Sequence, residues 1–506
     1  MWRDSMYELL IKNIAVLDGT GKDAFIADIG IKAGKIACIG ETISGGERVL
    51  DGTGLTVSPG WIDSHSHSDK AIFAYPDQKE KVEQGITFSI TGQCGSSVVP
   101  AAKETVGTFL EKAAQVPQGS GSALLIGHNS LRKVVMGTEN RDPTSDELEK
   151  MKAILAEALE QGAIGMSLGL FYVPGCYAKP EEVHALAKVV AEHGGLLASH
   201  IRNEGDQLIE AVQEYLDVIA DSGCRAVFSH HKAAWEENHG KVRQTLAMID
   251  EANAAGADIY LDAYPYNASH TSMMARFVPK MFHPAGTTSV LGLLDDPVIC
   301  EKIKAWGRNR WRNDLSSALV TEFPGGEEYE GKNVNEIADL WGMEDRFDAA
   351  FEVIRRSGGK AQGCYFSMSP EDVAYVLAHP RAMICTDSSV AGAAEHYHPR
   401  LRASFPRALG RYAREMGVVS VPEMIRKMTS LPAHVYGLTG KGLIAEGMDA
   451  DLCIFNADTV QDRADYQHCG LNNVGLEYVI IDGKIVLEQG VYNGTRAGKV
   501  YCRDRN

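Results

Sequence analysis

Hydrophobic and polar positions alternate with two different periods along the middle of the chain. Between about residues 60 and 440, segments with helical periodicity, such as AKPEEVHALAKVVAEHGG, are each followed by a short apolar run, such as LLASH. This alternation of helix and strand predicts a parallel sheet with crossover helices. Over roughly 380 residues it favours a closed (β/α)8 TIM barrel of the α/β class over an open sheet. We therefore predict a barrel domain over residues 58–440.

At both ends of the chain, hydrophobic and polar residues alternate with the two-residue period of strands instead. Residues 7–57 contain short strand patterns between Asp-Gly and Gly-Lys turns, and the same style returns near the C-terminus in GLEYVIIDGKIVLEQG. We predict that residues 1–57 and 441–506 pair into one small β-sandwich domain. Within the barrel region, residues 277–312 carry helical patterns without a clear strand, which predicts a short helical insertion.

The composition argues against two classes of binding partner. The 506 residues carry a formal net charge of −17, which argues against nucleic acid or an anionic membrane surface as a partner. No apolar run reaches the length of a membrane span, and the N-terminus lacks the apolar core of a signal peptide, so we expect a cytoplasmic protein. The ten cysteines show no CxxC spacing, which indicates reduced thiols.

Two histidines stand on alternate positions in PGWIDSHSHSDKA. If the preceding apolar run ends the first barrel strand, His65 and His67 point to one face, into the barrel mouth where active sites of this fold lie. Four further strand ends carry residues that bind metals, namely Cys94 in TGQCGSS, His200 in LLASH, His230 beside His231 in SHHK, and Asp387 in CTDSS. Imidazole and thiolate ligands at strand ends together predict a zinc site.

This arrangement resembles the amidohydrolase superfamily, in which His-x-His follows strand one, single histidines follow strands five and six, and an aspartate follows strand eight. Many members bridge two metals with a carboxylated lysine after strand four, but the stretch GAIGMSLGLFYVPG contains none. A cysteine after strand two, where Cys94 lies, can supply a thiolate instead. Together with GHNSLR, SHIRNEG, DAYPY and HPRLRASFPRALG, this combination resembles the N-acyl-D-amino-acid deacylases over nearly the whole chain.

The resemblance implies a set of metal ligands and a reaction. The resemblance implies a tight zinc site formed by Cys94, His200 and His230. It also implies a second, weaker site formed by His65, His67 and Asp387. Cys94 is placed to bridge the two sites, and the resemblance favours His230 over His231 as the ligand. Zinc lowers the pKa of water to about 7. Asp387 would take the water proton as general base and return it to the departing amine.

A small-molecule N-acyl amino acid carries a carboxylate that needs a partner. The substrate-binding residues that the resemblance favours are Lys232, Tyr264, Ser269, Arg400 and Tyr172. Arginine suits a bidentate clamp on a carboxylate, and Thr271 could replace Ser269 as a hydrogen-bond donor. The sequence places no further cation for an acidic side chain. Selectivity for D-amino acids follows from the resemblance alone, and the oligomeric state is left open.

Two alternatives to the deacylase function remain open: a hydrolase of the same chemistry with another substrate, and a non-enzymatic binding protein. Dihydroorotases and hydantoinases hydrolyse cyclic amides on the same barrel, and a metal-dependent D-dipeptidase or lactamase would also keep the chemistry. Most of the cyclic amidases use the carboxylated lysine that this chain lacks. A non-enzymatic binding protein on this scaffold would be expected to have lost metal ligands, whereas all six residues implied as ligands are present here.

Overall fold

A parallel eight-stranded sheet and a separate nine-stranded sheet organise the chain. They are seen in a computed structural model, which describes residues 6–101, 103–283, 285, 289–311, 313–390 and 397–503. Within these ranges, no helix combines the length and the apolar surface that crossing a membrane requires.

The strands account for both sheets and for a smaller third one. In chain order they are β1 (Tyr7–Val16), β2 (Phe25–Lys32), β3 (Lys35–Gly40), β4 (Gly46–Asp51), β5 (Thr56–Pro59), β6 (Trp61–Asp63), β7 (Ile86–Thr91), β8 (Gly121–Gly127), β9 (Gly165–Gly169), β10 (Leu196–His200), β11 (Arg225–Phe228), β12 (Ile259–Ala263), β13 (Ala268–Ser272), β14 (Ala318–Glu322), β15 (Gln362–Phe366), β16 (Ala382–Ile384), β17 (Leu452–Phe455), β18 (Leu476–Ile481), β19 (Lys484–Glu488) and β20 (Val491–Tyr492).

The helices lie mostly between the barrel strands. In chain order they are α1 (Ala71–Ala74), α2 (Lys79–Val82), α3 (Val106–Ala114), α4 (His128–Met136), α5 (Ser145–Glu160), α6 (Pro180–Glu192), α7 (Leu208–Ser222), α8 (Lys241–Ala254), α9 (Met273–Phe277), α10 (Pro297–Trp311), α11 (Val334–Trp341), α12 (Arg346–Arg356), α13 (Pro370–Ala378), α14 (Arg400–Arg407), α15 (Val421–Met428) and α16 (Ser430–Val435). Helix α6 begins with Pro180 in its first turn, and α7 ends at Gly223, whose φ of 71° suits a left-handed cap.

The eight parallel strands form a closed barrel in the order β6-β7-β8-β9-β10-β11-β12-β16. Strands such as β10 and β12 are buried along their whole length, as expected where helices cover the outer face. Closure occurs just past the strand ends, where the Asp387 amide donates to the His65 carbonyl at 2.9 Å and Ser66 pairs with Ser388. The predicted (β/α)8 barrel is confirmed.

A buried ion pair ties the first and last barrel strands together. Lys81 Nζ donates to Asp63 Oδ2 at 2.7 Å and to Thr386 Oγ1 at 2.9 Å. Asp63 ends β6 and Thr386 follows β16, so this lysine connects the two strand ends that carry His65 and Asp387. Because an unpaired buried charge costs several kcal/mol, on the order of 3–5, both partners are needed to hold the closure.

The two ends of the chain build the nine-stranded sheet. Its order is β3-β2-β1-β5-β17-β18-β19-β20, and β4 also pairs with β1. Ile11 and Ile29 from the N-terminal part share a hydrophobic core with Ile454 and Ile480 from the C-terminal part. One β-domain from both chain ends was predicted and is confirmed, whereas its boundaries stay a prediction. Past β20 the chain returns to the barrel, where Val500 pairs with Ser122.

A large insertion separates β12 from α13 and the last barrel strand. It contains the antiparallel sheet β13-β15-β14 and helices α9 to α12, packed around their own hydrophobic core. The insertion predicted over 277–312 covers only part of it, and residues 284, 286–288 and 312 lie outside the described residues. The short apolar runs of β14 and β15 are indistinguishable from barrel strands in the sequence, which hid the extent of the insertion.

Candidate metal centre

Three residues that follow barrel strands adopt a left-handed backbone conformation. The angle φ is 51° at Cys94, 36° at His230 and 47° at Asp387. Side chains other than glycine pay about 1–2 kcal/mol in this region. Such strain is typical of functional sites, where the surrounding structure holds it in place. These turns directly follow β7, β11 and β16 and bring the three side chains together in the barrel mouth.

The Cys94 thiol lies at the centre of the site. Its Sγ atom is 3.2 Å from His230 Nε2, 3.3 Å from His65 Nε2 and 3.6 Å from His200 Nδ1. Asp387 Oδ1 lies 3.5 Å from the same His65 Nε2 atom and 3.2 Å from His67 Nε2. The structure therefore brings together all six residues that the sequence suggested as metal ligands.

The donor atoms fall into two groups that share Cys94. The donor atoms of each group lie within 4.8 Å of one another. The groups are Cys94, His200 and His230, and His65, His67, Cys94 and Asp387. One thiol with imidazole and carboxylate donors is the ligand chemistry that zinc prefers, so the residues present fit this metal.

The paired histidines after β11 point in different directions. His230 Nε2 faces Cys94, whereas His231 Nε2 lies 2.7 Å from Thr245 Oγ1 on α8. His231 is also packed edge-on against Phe228. Only His230 is therefore placed to bind a metal beside Cys94.

Charges in the site favour the ionised forms of the thiol and the aspartate. Burial opposes ionisation of Cys94, but the neighbouring His65 and His230 outweigh it and hold the pKa of this thiol well below its ordinary value. Burial also opposes ionisation of Asp387. The Arg400 guanidinium, 2.7 Å from Oδ2, nevertheless holds the pKa of Asp387 well below its usual range.

The predicted substrate-binding residues surround the two donor groups. Arg400 bonds to Asp387 and also donates to the His270 carbonyl at 3.3 Å. Lys232 Nζ lies 2.6 Å from Glu204 Oε1. The Tyr264 ring lies near both cations, 4.7 Å from Arg400 and 5.6 Å from Lys232.

The remaining two predicted residues lie at the contact between the barrel and the insertion. Tyr172 packs edge-on against His200, with ring centroids 4.9 Å apart, and its hydroxyl lies 3.1 Å from Thr271 Oγ1. Ser269 is on the same inserted strand, β13, opposite Tyr365 of β15. The insertion thus forms one wall of the site, and the substrate roles of these residues stay predictions.

Two carboxylates behind the histidines, the half-buried Glu204 and the buried Asp262, were not predicted from the sequence. Glu204 Oε1 lies 3.0 Å from His230 Nδ1. Asp262 Oδ1 lies 3.5 Å from His65 Nδ1 and accepts a hydrogen bond from the His230 amide at 2.6 Å. Both belong to motifs that carry the resemblance to the deacylases, SHIRNEG and DAYPY. Their positions in the sequence do not show, however, that each carboxylate reaches a histidine from another strand.

The end of the fourth barrel strand explains why no lysine is needed there. Ser167 Oγ accepts a hydrogen bond from the Gly95 amide at 3.0 Å and donates to the Gly92 carbonyl at 2.6 Å. A Cβ atom on Gly169 would lie 2.0 Å from the Cys94 carbonyl oxygen. The turn that carries Cys94 therefore occupies this strand end and puts a thiol beside the histidines.

A closed parallel barrel with thiolate, imidazole and carboxylate donors at its strand ends has the architecture of a metal-dependent hydrolase. The model of the amidohydrolase family matches residues 48–487. The chain therefore belongs to the amidohydrolase family, as its resemblance to N-acyl-D-amino-acid deacylases predicted.

Relatives of known name match this chain over almost its whole length. N-acyl-D-glutamate deacylase of Alcaligenes xylosoxydans xylosoxydans is 36% identical over 98% of this chain and 97% of its own length. D-aminoacylase of the same organism is 31% identical over 98% of both chains. Its N-acyl-D-aspartate deacylase is 32% identical over 97% of this chain and 94% of its own.

Solved structures agree with these sequence matches. The crystal structure of N-acyl-D-glutamate deacylase from Bordetella bronchiseptica, complexed with zinc and a phosphonate inhibitor, has a TM-score of 0.85 and 32% identity. It covers 99% of this chain and 100% of that one. L-hydantoinase from Arthrobacter aurescens reaches a TM-score of 0.59 at 17% identity over 98% of this chain and 100% of its own, a likeness of fold alone.

Proposed function

We propose that this protein is a zinc-dependent deacylase that hydrolyses the amide bond of N-acyl-D-amino acids to a carboxylate and a free D-amino acid. The observation that carries the proposal is the thiol of Cys94, which lies within 3.6 Å of imidazole nitrogens from three other strand ends. The full-length relatives named as deacylases support the same reaction and the D configuration.

The residues divide the chemistry between them. Cys94, His200 and His230 would hold the tight zinc, while His65, His67 and Asp387 with Cys94 would form the weaker second site. Zinc supplies Lewis acidity there, which lowers the pKa of water toward about 7 and polarises an acyl carbonyl.

Asp387 is the proposed proton carrier. Arg400 fixes its Oδ2 atom, so Oδ1 faces the histidines and is the oxygen placed to accept a proton from water. The same carboxyl group then donates that proton to the departing amine nitrogen. The low pKa of Asp387 keeps the carboxylate ionised at neutral pH, as a base must be.

The α-carboxylate of the substrate is assigned to the cations beside Tyr264. Arg400 Nε is shielded from solvent and makes no hydrogen bond within the described part of the chain, so the guanidinium has a donor to spare. Lys232 Nζ lies 5.6 Å from the centre of the same ring. Tyr264, Ser269 and Tyr172 complete this proposed pocket, with the insertion as its outer wall.

We further propose that the preferred side chain is acidic, because a third cation lies in the same wall. Arg276 on α9 packs over the Trp235 ring at 3.9 Å and the Tyr365 ring at 5.0 Å. Its Nε and one terminal nitrogen are shielded from solvent and have no hydrogen-bond partner among the described residues. Buried guanidinium groups are normally paired. We therefore infer that a carboxylate of the substrate is the partner of these donors.

The position of Arg276 agrees with this role. Its helix directly follows β13, whose Thr271 contacts Tyr172 beside His200. Burial lowers the pKa of Arg276 to about 10, and Glu204 is near enough to oppose this shift. The group therefore stays a cation at neutral pH. Arg310, by contrast, lies over the same Trp235 ring and is paired with Asp206.

Chiral chromatography of the products tests the reaction. Zinc-loaded protein is incubated with N-acetyl-D- and N-acetyl-L-amino acids, and separately with hydantoin and dihydroorotate. We expect free amino acid from the D series only. Release from the L series, or ring opening without deacylation, would overturn the proposal and favour the cyclic amidases in the second case.

Two arginine variants test the side-chain preference. In Arg276→Met we expect kcat/KM for N-acetyl-D-glutamate or N-acetyl-D-aspartate to fall by about 100-fold, since a desolvated charge pair is worth on the order of 3 kcal/mol. The value for N-acetyl-D-leucine should change little. Arg310→Met is the matched control, because it removes a guanidinium from the same tryptophan. A wild-type preference for neutral side chains would contradict the acidic assignment.

A cytoplasmic location is also proposed. None of the ten cysteines is in a disulfide, and eight of them are buried. The thiol of Cys94 must stay reduced to bind a metal, and the reducing cytoplasm keeps it so.

A further inference from the structure

Glu204 lies behind two of the histidines that would hold the tight zinc. It follows His200 by four residues in the loop after β10, and its carbonyl accepts a hydrogen bond from the Ala234 amide at 2.7 Å, in the loop after β11. Its carboxylate reaches both rings, with Oε1 3.0 Å from His230 Nδ1 and Oε2 3.7 Å from His200 Nε2. Glu204 thus connects two strand ends on the side away from Cys94.

His230 has two competing neighbours at its outer nitrogen. Nδ1 lies 3.0 Å from Glu204 Oε1 and 2.7 Å from Lys232 Nζ. An ammonium group can only donate, so a hydrogen bond from Lys232 requires an Nδ1 without hydrogen. In the neutral ring the hydrogen would then be on Nε2, the nitrogen that faces Cys94, and His230 could not bind a metal.

We propose that Glu204 is a positioning residue that keeps His230 in the tautomer that binds metal. Its Oε1 accepts the Nδ1 hydrogen and also holds the Lys232 ammonium, at 2.6 Å, so that this lysine donates to the carboxylate instead of the ring. Carboxylates behind metal-bound histidines act in this way in many metal sites. The inference rests on the zinc centre of the proposed function and adds a residue outside its donor set.

Zinc affinity measured by competition with a chromophoric chelator tests this role without any substrate. We expect Glu204→Gln to weaken zinc binding by about 10- to 100-fold, the usual effect of removing such a partner. The exposed Glu210 on α7 offers a matched control, and Glu210→Gln should stay within about twofold of wild type. Equal affinity of Glu204→Gln and wild type would overturn the proposal.

A double variant separates the tautomer from a general structural effect. Adding Lys232→Met to Glu204→Gln removes the competing donor and should restore most of the lost zinc affinity, whereas a merely structural defect would not be rescued. Lack of rescue overturns the tautomer mechanism. If Glu204→Gln does not fold, Lys232→Met alone decides, since it must bind zinc at least as tightly as wild type.

The two proposals fail in different ways. Wild-type protein that binds zinc but releases no amino acid from any N-acyl-D-amino acid would refute the deacylase function, while the affinity of Glu204→Gln would still decide the role of Glu204. Normal deacylation together with unchanged zinc affinity in Glu204→Gln would refute only the inference.

Discussion

At the scale of single residues, the proposed zinc centre depends on Cys94 as the donor shared by both ligand groups. It is the one thiol of the site, and its left-handed backbone is held by the strand ends around it. Histidine and aspartate side chains alone would leave the tight group with only His200 and His230, too few for a zinc site of the usual three protein ligands.

Replacing this thiol therefore removes the metal. We expect Cys94→Ser to lose the tight zinc and to reduce deacylation by more than about 100-fold, since even partners behind the ligands contribute 10- to 100-fold. Metal analysis of the purified variant, alongside the rate, checks the prediction. Cys224→Ser serves as the control, because this buried thiol lies outside both donor groups and donates to the Ala187 carbonyl at 3.1 Å. Full zinc content in Cys94→Ser would contradict it.

Asp387 can be tested apart from the tight zinc, because it lies outside that group of ligands. We expect Asp387→Asn to lower kcat by about 100- to 10,000-fold, the range for loss of a general acid–base group. One zinc per chain should remain bound. The exposed Asp458 provides a control, Asp458→Asn, that should keep the wild-type rate. A kcat within tenfold of wild type in Asp387→Asn would mean that another group moves the proton.

Much of the donor set could be predicted residue by residue, and the reason is local. Each ligand stands at or just past the end of an apolar strand, so the barrel fold alone brings the ligands together. Glu204 and Arg276 could not be predicted in this way. Glu204 reaches a histidine of another strand, and Arg276 belongs to an insertion whose packing the hydrophobic pattern does not reveal.

At the scale of elements, strand β9 and the turn after β7 fit together without room for a side chain. A Cβ atom on Gly169 would meet the Cys94 carbonyl at 2.0 Å. We expect Gly169→Ala to displace this turn and to weaken zinc binding at least tenfold. Gly470→Ala, where nothing lies within 4 Å, is the control. Wild-type zinc affinity in Gly169→Ala, measured by chelator competition, would show that the turn tolerates the shift.

The chain-end sheet contains a carboxylate whose ionisation stabilises it. Asp28 on β2 accepts hydrogen bonds from the amides of Asn13, at 2.8 Å, and Ile43, at 2.9 Å. Burial opposes its ionisation, but these amides outweigh it and hold the pKa of Asp28 below its ordinary value. The ionised form therefore favours the folded state above the ordinary pKa near 4. This contribution is lost as the pH falls through the lower folded value.

Asp28→Asn should show this dependence. At pH 7 we expect the variant to lose about 1–3 kcal/mol of unfolding free energy, the effect of leaving a buried donor unsatisfied. The difference from wild type should shrink below pH 4. Urea unfolding at both pH values gives the comparison, and the exposed Asp23 gives the control Asp23→Asn. A difference that does not change with pH would exclude the charge as the cause.

The sequence predicts which helices and strands form, but it does not predict how far the insertion extends. Helix α6 begins at Pro180, and α7 ends just before Gly223, as these two residues predict from the sequence. The insertion exceeds its predicted range because β14 and β15 are short apolar runs like those of the barrel. Only the pairing of β15 with both β13 and β14, which are distant from it in sequence, assigns them to a separate sheet.

At the scale of the whole molecule, the barrel supplies the ligands, the insertion supplies one wall of the pocket, and the chain ends form a sheet beside them. In the proposed function, the zinc centre on Cys94 drives the hydrolysis of N-acyl-D-amino acids. The proposed roles of Asp387 and Glu204 both depend on this metal.

The most direct test is to add zinc stepwise to metal-free protein while following the release of D-amino acid from the preferred N-acetyl-D-amino acid. We predict a negligible rate without metal, a rise in proportion to the zinc added, and a maximum at one zinc per chain. No rise should occur in Cys94→Ser. Full activity of the metal-free protein, or zinc that binds at Cys94 without restoring hydrolysis, would contradict the account.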